Sequence, residues 1–349
     1  MRPPSGPPDP AAKMVAAEIA FFTKALAGFA KSNAKFEVVC SVSRRHVFPS
    51  SSSSSSPLPS PLVPPARQRS QIHNLVILDS SFNPPTLAHM KMATAALQFL
   101  RTDSSSTSSL TPSPPLKSTR LLLLLSVNNA DKAPKPAAFE ERLALMLAMA
   151  RDTHAVLASE KDDSLDIHID IGLTSEPYFH NKSNAIAVSP FYVRPDFSSA
   201  TGSKTTPDQL FLLGYDTLIR IFDAKYYKAA DGASIPDGLP PTATPMQIAL
   251  TPLMRRAHLR VTTRPDSDWG DEETQMSWVA EHVDVLGGPT ELWADKISLD
   301  TGGAGTGASA VSSTVARGAS KTHDLARLEK LVGPAVLSWL EKRSPYEAS

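Results

Sequence analysis

The chain has 349 residues, of which 35 are lysine or arginine and 35 are aspartate or glutamate, so its formal net charge is zero. This balance excludes a global electrostatic attraction for nucleic acid polymers or anionic membranes, and any phosphate site must therefore be local. Cys40 is the one cysteine, which excludes an intrachain disulfide and a cysteine-built zinc site. We expect a reducing compartment, the cytoplasm, with the nucleus as an alternative.

Membrane insertion is not expected from the sequence. The longest obvious apolar run, Leu121 to Leu125, is far shorter than the ~20 residues that a spanning helix needs. The N-terminal stretch MRPPSGPPDP lacks a cationic flank followed by an apolar signal core. We therefore expect a soluble protein without a secretory signal.

The N-terminal region carries one helical pattern. Its apolar residues recur at spacings of four and three, which places them on one helix face: Val15, Ile19, Phe22, Leu26 and Phe29. We expect this helix to pack on the body of the domain. A membrane-surface or partner helix is the alternative, and it is disfavoured because the polar face lacks a cationic excess.

Segments rich in serine and proline separate the other parts of the chain. The segment from Pro49 to Pro65 cannot bury enough apolar surface to offset its chain entropy, which predicts a disordered linker. We expect an N-terminal helix and extension over 1–48, a linker over 49–70 and one domain over 71–349. Loop insertions are predicted near 102–118, 228–241 and 300–310.

Short apolar runs alternate with helical patterns in that domain. Five runs read as strands: NLVILD from Asn74, RLLLLLSV from Arg120, DIHIDI from Asp166, QLFLLG from Gln209 and HLRVTT from His258. Three of them are nearly continuous apolar runs, which is typical of parallel strands covered on both faces. The sequence therefore predicts an α/β fold with a doubly wound, Rossmann-like parallel sheet, whose ligands bind beyond the carboxyl ends of the strands.

The stretch ILDSSFNPPTLAHMKMA follows the first predicted strand. Its two prolines favour a helix start at about Thr86, whose hydroxyl can cap the helix, and free amides there would favour an anion. His89 lies on the same helix face as Thr86, with Ser80, Ser81 and Asn83 in the preceding loop. An ordinary helix start with a satisfied interior histidine is the alternative.

A second hydroxyl-rich helix start, VSSTVAR, lies near the C-terminus. Ser312, Ser313 and Thr314 offer hydroxyls and amides, and Arg317 follows one turn later with a guanidinium suited to phosphate oxygens. An ordinary serine and threonine cap with a solvated arginine is the alternative for this segment by itself.

Together, SFNPPTLAH and VSSTVAR resemble paired elements of the nicotinamide or nicotinate mononucleotide adenylyltransferases. The segments LLLLLSVNNADKAPKPAAFEERLALM and FLLGYDTLIRIFDAKYY are similar to the fungal branch of that family, and the resemblance covers most of 74–346. It implies a nucleotidyltransferase fold and the transfer of AMP from ATP to the mononucleotide phosphate, which forms NAD or its deamido form and pyrophosphate. ATP and a mononucleotide are thus the expected partners, and a homo-oligomer is left open.

The resemblance also implies roles for individual residues. Catalytic roles fall on His89, Thr86 and Arg317. Contacts with the mononucleotide fall on Ser80, Ser81 and Asn83. Contacts with ATP fall on Ser81, Phe82, His89, Lys132, Gly214, Asp216, Ser312, Ser313, Thr314 and Arg317.

Several of these assignments have alternatives. Lys132 could be an exposed structural lysine, with Lys135 as its substitute, and Asp216 could merely cap a helix. Arg142 matches the family's arginine after the second strand, although an ion-paired structural arginine fits as well. The aromatic residue that stacks on the pyridine ring is undecided among Tyr178, Phe179, Tyr226 and Tyr227. Ser80 and Ala88 stand where relatives often have glycine, which puts glycine-only backbone conformations in doubt.

No carboxylate or histidine cluster in the sequence suggests a fixed metal site, so we expect Mg²⁺ to arrive with the phosphates of ATP. Two other functions remain open. One is a sibling nucleotidyltransferase that acts on another phosphorylated acceptor, such as phosphopantetheine. The other is a degenerate relative that serves as an interaction scaffold.

Overall fold

A computed structural model describes residues 10–47, 71–103, 119–128, 137–159, 167–195, 204–228, 235–263, 269–282, 293, 295–300 and 311–346. The strands in chain order are β1 (Phe36–Val42), β2 (Asn74–Asp79), β3 (Thr119–Ser126), β4 (His168–Thr174), β5 (Arg194–Pro195), β6 (Lys204–Thr205), β7 (Asp208–Gly214), β8 (Ala257–Thr262) and β9 (Ile297–Asp300). Strands β5 and β6 pair only with each other. The other seven form one sheet in the order β1-β4-β3-β2-β7-β8-β9.

Helices cover both faces of this sheet. They are α1 (Pro10–Lys31), α2 (Arg44–Val47), α3 (Leu87–Asp103), α4 (Phe139–Ser159), α5 (Phe179–Ala187), α6 (Tyr215–Ile221), α7 (Pro245–Arg256), α8 (Glu272–His282), α9 (Ser313–Lys321), α10 (Leu325–Leu328) and α11 (Pro334–Arg343), with a 3₁₀ turn at Ala224–Tyr226. One apolar core contains residues of α1, α3, α4, α9 and α11. The other contains residues of α5, α6, α7 and α8.

The five predicted strands are present, and the predicted α/β doubly wound sheet is confirmed. Strands β2, β3, β4, β7, β8 and β9 pair in parallel. Their apolar side chains are buried in both cores, which is expected for the continuous apolar runs Leu121–Leu125 and Leu75–Leu78. The chain winds outward from β2 to β4 on one side and from β7 to β9 on the other. The order therefore switches between β2 and β7, where a ligand crevice is expected at the carboxyl ends.

Two strands of the sheet were not predicted. Strand β1 lies at the edge and runs antiparallel to β4, with Phe36 opposite Thr174 and Val42 opposite Ile169. Its sequence, FEVVCSV, has no regular alternation of apolar and polar residues, and its position follows only from the partner strand. Strand β9 has four residues and closes the opposite edge.

The helix predicted near the N-terminus packs on α4. Val15, Phe22 and Phe29 are buried in the first core, as their spacing predicts. The buried Glu18 carboxylate accepts a hydrogen bond from Arg151 of α4 at 2.7 Å, and burial raises its pKa although Arg151 opposes this shift. This segment and β1 therefore attach to the same sheet as the rest of the domain.

Most of the predicted linker and insertions lie outside the described residues, namely 48–70, 104–118, 229–234 and 301–310. Among the helices of the described ranges, none has both the length and the apolar character needed to cross a bilayer.

Candidate active site

The first helix start of the site follows β2. The loop after Asp79 leads to α3, where the amide of Met90 donates to the carbonyl of Thr86 at 3.2 Å. The amide of Leu87 donates to the carbonyl of Leu331 at 2.9 Å, so it is not available to an anion. The hydroxyl of Thr86 lies 2.9 Å from Nδ1 of His89, so this hydroxyl also holds the histidine ring. The first turn is thus partly used for packing and for holding the histidine.

His89 is held from both sides of its ring. Its Nδ1 atom accepts the backbone N–H of Thr86 at 3.1 Å, and its Nε2 atom lies 2.9 Å from the hydroxyl of Ser80. A backbone N–H can only donate, so Nδ1 carries a lone pair and the ring proton lies on Nε2. The half-buried ring thus presents an N–H donor toward the loop at the carboxyl end of β2.

The loop has one strained residue, Phe82, and it is neither of the two positions where relatives often have glycine. Phe82 has a φ of 45° and is fully buried, with its ring 5.6 Å from that of His89. Left-handed backbone costs a residue with a side chain roughly 1–2 kcal/mol. Neither Ser80 nor Ala88 has the backbone conformation that favours glycine; in this loop Phe82 has it instead. The buried ring of Phe82 holds the loop in place, while Ser81 is exposed.

The second helix start contacts the first directly. The hydroxyl of Ser312 accepts the amide of Val315 at 3.3 Å and caps α9. The hydroxyl of Ser313 donates to the carbonyl of Pro84 at 2.8 Å. The guanidinium of Arg317 donates from Nη1 to the carbonyl of Asn83 at 2.7 Å and from Nη2 to the hydroxyl of Thr314 at 2.9 Å. The structure thus brings the two predicted motifs together at the carboxyl end of β2.

Arg142 adds a buried cation near Arg317. Its Nε atom donates to the carbonyl of Ala137 at 2.9 Å, and its guanidinium lies 5.0 Å from the ring centroid of Phe139. Nη2 is buried without a hydrogen-bond partner among the described residues, and burial lowers the pKa of Arg142, with Arg317 adding to the shift. The alternative role of Arg142 was that of an ion-paired structural arginine. Among the described residues, however, no carboxylate forms an ion pair with it.

Tyr346, near the C-terminus, lies close to both arginines and was not noticed in the sequence. Its side chain is buried, and its hydroxyl is without a hydrogen-bond partner within the described ranges. Burial raises its pKa, against the pull of Arg142 and Arg317. Unpartnered polar atoms are therefore concentrated near two guanidinium groups, which is an environment suited to an anion.

A buried ion pair lies at the start of the loop between β2 and α3. Lys182 of α5 contacts Asp79 at 2.5 Å, and the two side chains are only 6% and 7% exposed. Asp79 directly precedes Ser80, so this pair links α5 to the loop that holds His89. No sequence motif connects the two residues, because they are 103 residues apart in the chain.

Half-exposed aromatic rings gather at the start of α5. The ring of Tyr178 stacks on that of His180 at 5.7 Å and lies 6.3 Å from that of Tyr226, while His180 lies 5.5 Å from Tyr227. Phe179 instead packs edge-on against Phe211 in the second core. We call Tyr178, His180, Tyr226 and Tyr227 the aromatic cluster. Burial lowers the pKa of His180, which the sequence had not suggested as a member.

The remaining predicted positions are placed as follows. Gly214 is the N-cap of α6, and Asp216 lies in the first helical turn, so Asp216 is not the N-cap residue. The carboxylate of Asp216 folds back toward Gly214, where a Cβ atom would lie 2.8 Å from Oδ1. Lys132 and Lys135 fall outside the described residues. Within those residues, no group of three or more histidine, cysteine, aspartate or glutamate side chains could hold a metal ion.

The chain is 30% identical over 276 residues to a Schizosaccharomyces pombe protein provisionally named nicotinamide mononucleotide adenylyltransferase, with 78% of this chain and 86% of that protein covered. The chain belongs to the nicotinamide mononucleotide adenylyltransferase family. No model of a protein family matches it.

Two solved structures were also found similar to this member of the adenylyltransferase family. They are Plasmodium falciparum nicotinic acid mononucleotide adenylyltransferase complexed with NaAD and with APC, each 13% identical and covering 78% of this chain and 97% of theirs. Their TM-scores are 0.38 and 0.42, and likeness at this level carries no argument about function.

Proposed function

We propose that the protein transfers the adenylyl group of ATP to the 5′-phosphate of nicotinamide mononucleotide or nicotinate mononucleotide. The observation that carries this proposal is the direct contact between the two helix starts, through Ser313 to Pro84 and Arg317 to Asn83. Two anion-binding elements from distant parts of the chain must reach one triphosphate, and these contacts hold them side by side.

The reaction needs no nucleophile from the protein. An oxygen of the mononucleotide phosphate attacks the α-phosphorus of ATP, and the bond from that phosphorus to the oxygen bridging to the β-phosphate breaks. NAD or its deamido form and pyrophosphate are the products. Such a displacement depends on positioning and on stabilising charge.

His89 is placed to stabilise that charge. The amide and the hydroxyl of Thr86 hold Nδ1, so the Nε2 proton faces the loop, where the hydroxyl of Ser80 now accepts it. An oxygen of the α-phosphoryl group could replace Ser80 as acceptor. The histidine would then act as a preorganised donor rather than as a base.

Arg317, Thr314 and Ser312 at the start of α9 would face the β- and γ-phosphates and the leaving pyrophosphate. Arg142 would support them, because its buried guanidinium has an Nη2 atom that no described residue satisfies. Lys132 belongs to this proposal through the family resemblance. Gly214 and Asp216 would contact a nucleotide sugar at the carboxyl end of β7.

Mg²⁺ would arrive bound to the phosphates of ATP, which are oxygen ligands of the kind it prefers. It would neutralise part of the phosphate charge. We also propose that the chain belongs to the fungal branch of the family, because the segments LLLLLSVNNADKAPKPAAFEERLALM and FLLGYDTLIRIFDAKYY resemble that branch.

The test is to incubate the purified protein with ATP, Mg²⁺ and each mononucleotide, and to measure dinucleotide and pyrophosphate. Formation of both products in equal amounts is the expected result. Phosphopantetheine serves as a third acceptor, because the sibling enzymes of the superfamily would use it instead. Product with phosphopantetheine alone, or none with any acceptor, would contradict the proposal.

A further inference from the structure

The open question about the proposed reaction is which mononucleotide the protein uses. The two acceptors differ at one group of the pyridine ring, which is an uncharged carboxamide in the nicotinamide form and a carboxylate in the nicotinate form. A site can distinguish them by the net charge around the ring, since a carboxylate that leaves water without a compensating cation is costly.

The position of the pyridine ring is limited by the site itself, because the acceptor phosphate must meet the α-phosphorus near Ser80 and His89. A pyridine ring needs a flat apolar surface, and the aromatic cluster at the start of α5 offers one in this part of the chain. The pair of Asp79 and Lys182 joins the loop that holds His89 to the helix at whose start the aromatic cluster lies. Asp79 adjoins Ser80 in the chain, and Lys182 is one helical turn after Tyr178.

Three pairs of opposite charge lie near the aromatic cluster in the described part of the chain. Lys182 is paired with Asp79, and the others are Lys35 with Glu176 at 3.2 Å and Lys225 with Asp223 at 2.5 Å. Only the first pair is buried, so only its charges are weakly screened by water and salt. If Asp79 were absent, the buried ammonium of Lys182 would attract a carboxylate.

We propose that the Asp79–Lys182 ion pair determines the acceptor, and that by cancelling the charge of Lys182 the carboxylate of Asp79 makes nicotinamide mononucleotide the preferred substrate. This inference rests on the proposed function. It assigns Asp79 and Lys182 as specificity-determining residues that act through the net charge beside the ring.

The experiment compares kcat/KM for the two mononucleotides in the wild type, in D79N, in K182Q and in the double variant. The ratio of the two values is informative because both substrates use the same folded protein, so a general loss of structure cancels. We expect D79N to shift the ratio about tenfold (~1.4 kcal/mol) toward nicotinate. A unit charge roughly 10 Å away at an effective dielectric of about 20 has an effect of this size.

K182Q should shift the ratio about as far in the opposite direction, and the double variant should return it close to the wild-type value. D79N and K182Q each leave a buried charge unpaired, so if one of them fails to fold, the other single variant and the double variant still give the ratios that decide. The matched control is E18Q, which removes a buried charge from the α1–α4 ion pair on the other face of the sheet. Its ratio should equal that of the wild type.

A wild type that prefers nicotinate mononucleotide would overturn the inference, as would ratios that stay within about twofold of the wild type in the single variants. Either result leaves the adenylyltransferase activity in place. The absence of both dinucleotides would instead contradict the proposed function, and this inference with it.

Discussion

The guanidinium of Arg317 donates a hydrogen bond to the backbone carbonyl of Asn83, 234 residues away in the chain. It fixes the start of α9 against the loop that carries Ser80 and His89. Arg317 therefore uses one nitrogen to hold the loop while the rest of its guanidinium stays near the space between the two helices. One residue thus combines a structural contact with a position suited to phosphate.

Replacing His89 with alanine should lower kcat about 10²-fold or more and leave the apparent affinity for the mononucleotide within a small factor. One preorganised donor lost from the transition state corresponds to on the order of 3 kcal/mol. Steady-state kinetics with the mononucleotide varied would show this pattern. The control is H258A, which removes an exposed histidine of β8. Near-normal kcat in folded H89A would return His89 to the role of a satisfied interior histidine.

Replacing Arg317 with alanine should raise the KM for ATP by roughly 10- to 100-fold, as expected when charged hydrogen bonds of 1.5–3 kcal/mol are lost. R317K retains the charge but cannot bridge Asn83 and Thr314 at once, so its KM should lie between those of the wild type and R317A. Kinetics with ATP varied measure both. An unchanged KM in R317A would limit Arg317 to its contact with the loop.

Replacing Arg142 with methionine should weaken ATP binding while the free protein stays about as stable as the wild type. The buried guanidinium lacks a described carboxylate partner, so its removal leaves no opposite charge behind. R120M is the contrasting variant, because Arg120 faces the buried Asp170 at 3.3 Å. It should lose about 3–5 kcal/mol of unfolding free energy. Denaturant unfolding and ATP titration test the pair, and an R142M protein as damaged as R120M would assign Arg142 a purely structural role.

Replacing Gly333 with alanine should lower the unfolding free energy by about 1–3 kcal/mol. The added Cβ atom would collide with the carboxylate of Asp152, which accepts the amides of Ala335 and Val336 and so caps α11. G28A is the matched control, since a Cβ atom there meets nothing within 4 Å in α1. It should stabilise the protein by up to about 1 kcal/mol. Equal unfolding midpoints for both variants would show that the cap region yields without cost.

The sequence was sufficient for the parts of the fold that local patterns determine. Continuous apolar runs predicted β2, β3 and β7, and the proline-rich loop placed the start of α3 to within one residue. Strand β1 could not be found in this way, because an edge strand depends on its neighbour more than on its own periodicity.

The site shows the same division. Ser80, Thr86 and His89 are close in sequence, so their proximity could be predicted, and the second motif could be paired with them only through the family resemblance. The ion pair of Lys182 with Asp79 and the position of Tyr346 near Arg142 and Arg317 bring distant segments together without a sequence motif. Long-range pairs of this kind are determined by the topology of the sheet.

The antiparallel pairing of β1 with β4 has a consequence for shortened forms of the protein. A chain that began at Ile72 would retain both motifs but would leave the backbone N–H and C=O groups of β4 unpaired along a hydrophobic border. Such exposed borders recruit strands from other molecules. Removal of the N-terminal segment should therefore appear first as self-association, even while the end of the sheet that holds both motifs is intact.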